Sequence, residues 1–224
     1  MKSLAYFAIS TAAALLTLAA CPAPAAAQGM APPVCAVVIH DEFTELENAR
    51  IAVDLARSNF SAYEKIFSMI EGLWKARTIP RMDYLKARYD RDAAGLMLEE
   101  ADLILRRQAA LVEQYRLICG EATPGNEPRE RAIRDAYLRY RSADCASLAK
   151  KIEIAETRLE FNREFLQRVL ELRRDKFATN TQVILAQLDV EREEKSLADA
   201  QRRAAVCRAE LAELENAATA AAGR

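Results

Sequence analysis

The sequence predicts an all-α protein of two long antiparallel coiled-coil hairpins, four helices packed as an elongated bundle. Three observations carry this. Apolar residues recur at a mean spacing of 3.5 residues from Ile39 onward, with no alternating run that reads as strand. Ala, Leu, Glu and Arg dominate, and the 224 residues include only 6 Gly, a composition that favours long helices. The second half also repeats the first at a shift of 99 positions, which carries Ala87 to Ala186, Asp90 to Asp189, Leu98 to Leu197 and Ala101 to Ala200.

The first 27 residues read as an export signal. Lys2 precedes an apolar run from Leu4 to Ala20, too short for a comfortable membrane span, and small residues follow. Two processing readings stand. Ala25-Ala26-Ala27 before Gln28 fits a signal-peptidase site, giving a soluble periplasmic protein. Leu18-Ala19-Ala20-Cys21 resembles a bacterial lipobox, which would end the signal at residue 20 and lipidate Cys21. Residues 28–40 follow as a lead-in.

The first hairpin is expected over 41–120. Its opening seam runs Leu46, Ala49, Val53, Ala56, Phe60, Tyr63, Phe67, Ile70, Trp74, and Thr44 with Glu47 resembles a capping box. Thr78-Ile79-Pro80 breaks the pattern, because proline lacks an N–H and steers its predecessor away from helix. The returning seam passes Tyr84, Ala87, Arg91, Ala94, Leu98, Ala101, Leu105, Gln108 and Val112 to Tyr115. A Pro/Gly-rich linker occupies 121–128. The second hairpin, 129–218, has seams Leu138 to Val169 and Val183 to Leu214 around a break at Thr179-Asn180-Thr181, and 219–224 form a tail. Each helix would be about 35–50 residues, roughly 50–75 Å long.

Cysteine spacing selects a pairing. In an exported chain Cys35, Cys119, Cys145 and Cys207 are candidates for disulfides, with three possible connectivities. Cys35 and Cys119 are level if the chain reverses at their midpoint, Arg77; Cys145 and Cys207 are level if it reverses at Lys176. Both midpoints adjoin the breaks assigned independently, and they differ by the repeat shift. The same register sets large against small, as in Val53 with Ala101, Phe60 with Ala94 and Leu166 with Ala186. Cys35–Cys119 and Cys145–Cys207 are therefore the expected bridges.

Little in the sequence points to catalysis. Charges are balanced and interspersed, 32 Lys and Arg against 33 Asp and Glu, with no basic stripe for nucleic acid. His40 is the sole histidine, so no metal or haem motif can be built around it, and phosphate-binding or nucleophile-elbow motifs are missing. The expectation is a non-enzymatic protein with no cofactor and no metal. Arg91, Asn162 and Glu193 read as polar seam positions that fix register. A second apolar line (Ala52, Leu55, Ala62, Ile66, Met69, Leu73) and its counterpart Ile154, Phe161, Phe165, Leu172 are expected to pack the hairpins together near the tips, or against another subunit.

Asp83-Tyr84-Leu85-Lys86-Ala87, followed by Ala94 and Leu98, resembles the signature that opens a returning helix in the outer-membrane efflux (TolC-like) family. The second copy, Gln182 to Ala186, keeps the alanine but replaces the aspartate. The resemblance implies hairpin tips that meet the helical hairpins of an adaptor in efflux or secretion. The chain departs from the family in having no strands for an outer-membrane barrel, so it would not form the pore alone. The candidate contact residues are Arg77, Ile79, Arg81 and Asp83 at the first tip and Lys176, Thr179 and Asn180 at the second. The expected partner is a protein with coiled-coil hairpins or another copy of the chain, with no nucleic acid, and a membrane only through a lipid on Cys21. A chaperone or binding module holding an apolar ligand between the hairpins is the alternative.

Overall fold

The computed structural model describes residues 32–120 and 127–222. These hold four helices and no strand: α1 (Pro32–Lys75), α2 (Arg81–Cys119), α3 (Glu127–Arg174) and α4 (Asn180–Ala222). They run from 39 to 48 residues, roughly 60–70 Å each. The segment read as an export signal, Cys21 included, lies outside the described residues, as do 121–126 of the linker. None of the described helices is long and apolar enough to cross a membrane.

Two boundaries differ from the sequence reading. α1 begins at Pro32, within the stretch read as a lead-in, because proline's missing N–H has no intrahelical partner in a first turn anyway. Thr44 is therefore mid-helix and caps nothing; its hydroxyl donates back to the His40 carbonyl at 3.1 Å. At the other end α4 continues to Ala222, through most of the expected tail.

The helices pack in chain order as an open bundle. α1 meets α2, α2 meets α3 and α3 meets α4, while among the described residues no Cα of α1 comes within 8 Å of α3 or α4. Burial follows. α1 and α4 each bury one stripe, whereas α2 and α3 are covered on two sides. The α1 stripe includes Cys35, Leu46, Ala49 and Val53; that of α4 includes Ala186, Ala204 and Cys207.

Within the first antiparallel pair, Phe60 lies against Gly95, where an added Cβ would sit 3.2 Å from its ring. A glycine there gives an aromatic ring room at a cost of about 1 kcal/mol in helix propensity. Polar seam positions find partners within the pair: buried Gln108 donates to the Glu42 carboxylate, and the Arg91 guanidinium stands 4.1 Å over the Phe67 ring. Cys35 bridges to Cys119 with Cα atoms 5.6 Å apart, and Cys145 to Cys207 with Cα atoms 5.5 Å apart, both within disulfide reach.

The junction between the pairs differs from the expected one. The α3 line does pack inward, with Ile154 buried and Phe161 stacked on Tyr89 at 4.6 Å, but its partner is α2. Among the described residues nothing covers the α1 line. Small residues and ion pairs decide this. Ala93, Ala110, Ala136 and Ser147 are buried and let α2 and α3 approach. Arg107–Asp144 (3.1 Å), Arg139–Glu113 (2.7 Å), Lys150–Glu99 (2.6 Å) and Arg88–Glu164 (3.4 Å) flank the contact. Hydrogen bonds to Glu153 and Glu99 hold the Lys150 ammonium above the usual lysine range. Just past the linker, Arg129 reaches back to the exposed end of α2 and donates to the carbonyls of Leu117, Ile118 and Gly120. It thereby satisfies acceptors that a helix C-terminus leaves open.

Two measurements check this arrangement. Peptide mapping of unreduced protein should recover only Cys35–Cys119 and Cys145–Cys207, and reduction should lower the unfolding free energy by about 4 kcal/mol per bridge. Arg129→Ala should cost about 2 kcal/mol in denaturant unfolding, with helix content otherwise retained in circular dichroism.

Candidate functional site

Both chain reversals stand at the same end of the molecule, because the two pairs lie side by side and α1 and α3 both run toward their turns. Arg77 and Lys176 each adopt the left-handed conformation, with φ of 58° and 62°. These are the midpoints between the bridged cysteines. Around each, the N–H bonds have the same layout. Thr78 N–H reaches Leu73 O at 3.0 Å and Arg77 N–H reaches Trp74 O at 2.8 Å; Phe177 N–H reaches Leu172 O at 2.8 Å and Lys176 N–H reaches Arg173 O at 3.1 Å. Each is a Schellman closure of the preceding helix. Glycine ordinarily fills the left-handed position; here a basic side chain does.

The returning helices start differently. Pro80 precedes α2 without a side-chain cap, and Asp83 supplies negative charge to the first turn. Thr179 precedes α4 and forms a capping box: Gln182 N–H donates to Thr179 Oγ1 at 3.2 Å, and Thr179 N–H donates to Gln182 Oε1 at 2.8 Å. The glutamine that departs from the efflux-like signature thus closes its own helix start. Next to it, Arg173 Nε donates to Asn180 Oδ1 at 2.7 Å.

Below the turns sit small apolar clusters. At the second tip Val169, Ala178 and Ala186 are buried, with Leu166, Leu172 and Val183 against them. The repeat shift carries this set to Ile70, Ile79, Ala87, Phe67, Leu73 and Tyr84. At the first tip Tyr84 is in ring contact with Phe67 and stacked on Trp74, with centroids 5.8 and 5.4 Å away. Lys86 pairs with Asp90 at 2.5 Å, and that hydrogen bond raises the lysine pKa above its ordinary value.

Of the sequence-predicted contact residues, Arg77, Arg81, Asp83 and Lys176 are exposed on the tips. Thr179 and Asn180 are exposed as well, with Thr179 Oγ1 and Asn180 Oδ1 each accepting a hydrogen bond within the turn, and Ile79 is half-buried. Sequence reasoning passed over Phe177, which is 81 % exposed at the head of the second tip. Its signal was available: it is a large apolar residue in a break, claimed by neither flanking seam. Basic residues outnumber acidic ones at both turns, with Lys75, Arg77 and Arg81 beside Asp83, and Arg173, Arg174 and Lys176 beside Asp175.

The local energetics make a direct test. Arg77→Gly and Lys176→Gly should each stabilise by about 1 kcal/mol, relieving a side chain in the left-handed region. Thr179→Ala should cost about 1 kcal/mol through the lost cap. Chemical denaturation of the three variants checks both signs.

Compared with protein-family models, curated proteins and solved structures, the chain matches none of them.

Proposed function

We propose that this protein is a non-enzymatic scaffold of the bacterial envelope whose paired tips dock on another helical protein. The seams, spaced by three and four residues, support reading each antiparallel pair as a coiled-coil hairpin. The export-like N-terminus and the two bridges of an oxidising compartment support a periplasmic setting. The similarity of Asp83 to Ala87 to the efflux family supports an efflux or secretion assembly as the place of work.

The observation that carries the reading is the surface at the tips. Phe177 projects from a head where Arg77, Arg81, Arg174 and Lys176 are all exposed. An exposed aromatic on a tip that also carries exposed cations is costly to leave in water and suits a partner that offers an apolar pocket with an acidic rim. A role in holding unfolded or apolar ligands between the hairpins has less support, since α2 and α3 meet directly there. A groove at their junction, about 580 Å³, mixes Leu103, Ala109, Ala110, Ala143 and Ala146 with Arg106, Arg139 and Glu113.

The test is a photo-crosslinking residue at Arg81 in intact cells, followed by mass spectrometry. One dominant helical envelope protein is the expected capture, and Phe177→Ala should reduce its yield several-fold without shifting the melting temperature. A spread of unrelated proteins, or no dependence on Phe177, would count against tip docking.

A further inference from the structure

The four-helix row is one helix pair used twice, and the two pairs are joined by α2 against α3. Leu85 and Tyr89 of α2 line a groove with Thr157 and Phe161 of α3, and Ile154 of α3 borders another with Met97 and Glu100 of α2. The repeat shift moves the α2 face onto α4 and the α3 face onto α1. Leu85 and Tyr89 become Ile184 and Leu188; Ile154 and Phe161 become Leu55 and Ala62. At these mates none of the described residues covers the surface: Ile184 is 54 % exposed, Leu188 48 % and Leu55 61 %. The end units of a stacked array that stops at one copy present polar outer faces. Both edges here carry exposed apolar residues instead.

The two edges also agree in height. Ile66 stands opposite Arg88 across the first seam, Arg88 pairs with Glu164, and Glu164 stands opposite Leu188 across the second, in the register set by the bridges. Ile51 leads in the same way through Leu103 and Ala146, which border one groove, to Val206. Ile51, Ile66, Leu188 and Val206 are all exposed. Lys65 leads through the Tyr89–Phe161 stack to Glu191, its opposite in charge and likewise exposed. Along the α1 edge Ala52, Leu55, Asn59, Ala62, Ile66, Met69 and Leu73 follow spacings of three and four, the pattern of a helix that expects a neighbour.

From this we infer that the free α1 edge is a binding site for the free α4 edge of a second copy of the chain, lying side by side with tips at the same end. α1 runs toward the tips and α4 away from them, so the new contact is antiparallel like every contact within the row. It joins two different surfaces, so it is heterologous and continues into a ring or an extended array. This self-association does not depend on the tip-docking reading.

The test uses the full chain in a Cys21→Ser background, so that the four bridged cysteines leave no thiol except an engineered one. Ala62→Cys and Leu188→Cys variants are treated with a short bis-maleimide, separately and mixed. The expected result is a covalent dimer in the mixture alone. Leu188→Arg should raise the concentration needed for association at least about tenfold, read by light scattering, with the melting temperature of the monomer unchanged. Monomers at every concentration, or a dimer from Ala62→Cys by itself, which would place α1 against α1, would overturn the inference.

Discussion

Two long helices with repeating seams can slide. A shift of one heptad restores an apolar match almost as good as the first, so packing alone specifies register weakly along a rod of this length. Each pair here is pinned at both ends instead. At the tip, a left-handed residue ends one helix and leaves only a few residues before the next begins. At the base, a bridge demands Cα atoms about 5.5 Å apart, which a slip of one turn, about 5.4 Å, would destroy. Between those pins the seam needs only to be compatible. That explains how it tolerates Gln108, Arg91 and the glycine beneath Phe60, and even Glu193, whose Oε2 is buried without a hydrogen-bond partner among the described residues.

The junction between the pairs is a different kind of contact. Its ion pairs are partly exposed, and such pairs contribute at most about 1 kcal/mol each; its buried residues are mostly small. What it offers is specificity. Arg107 on Asp144 and Lys150 on Glu99 fix which helix lies beside α2 and at what height. A rigid, bridged unit is thus joined to another by a softer seam, and the same soft seam recurs in outline on both free edges.

Much of this was legible in the sequence because it depends on local periodicity. Seam residues, breaks and the midpoint rule for cysteines led to the four helices, the turning points at Arg77 and Lys176 and the observed bridges. Periodicity reports that a helix has a face, however, and not what that face meets. The lines through Leu55 and Ile154 were both visible, yet among the described residues only the second is covered, by α2. That choice rests on pairs such as Arg88 with Glu164, far apart in the chain and without any pattern to mark them. Arg129 escaped for the same reason, since a guanidinium reaching back over a linker has no signature. Thr44 misled because its spacing to Glu47 fits a capping box, although α1 had already begun at Pro32.

Arg77 and Lys176 join the tip's architecture to its surface. A left-handed residue with a side chain costs about 1–2 kcal/mol relative to its ordinary conformation, and glycine would avoid that cost. The cations return part of it, because each follows the C-terminus of a helix, where unpaired carbonyls concentrate negative potential. Glycine would close the turn equally well and leave the tip without a charge. A chain that keeps Arg at one turn and Lys at its repeat mate, with Phe177 beside the second, has a strained but charged reversal at both sites. Backbone geometry alone gives no reason for that choice; the tip docking proposed above would supply one.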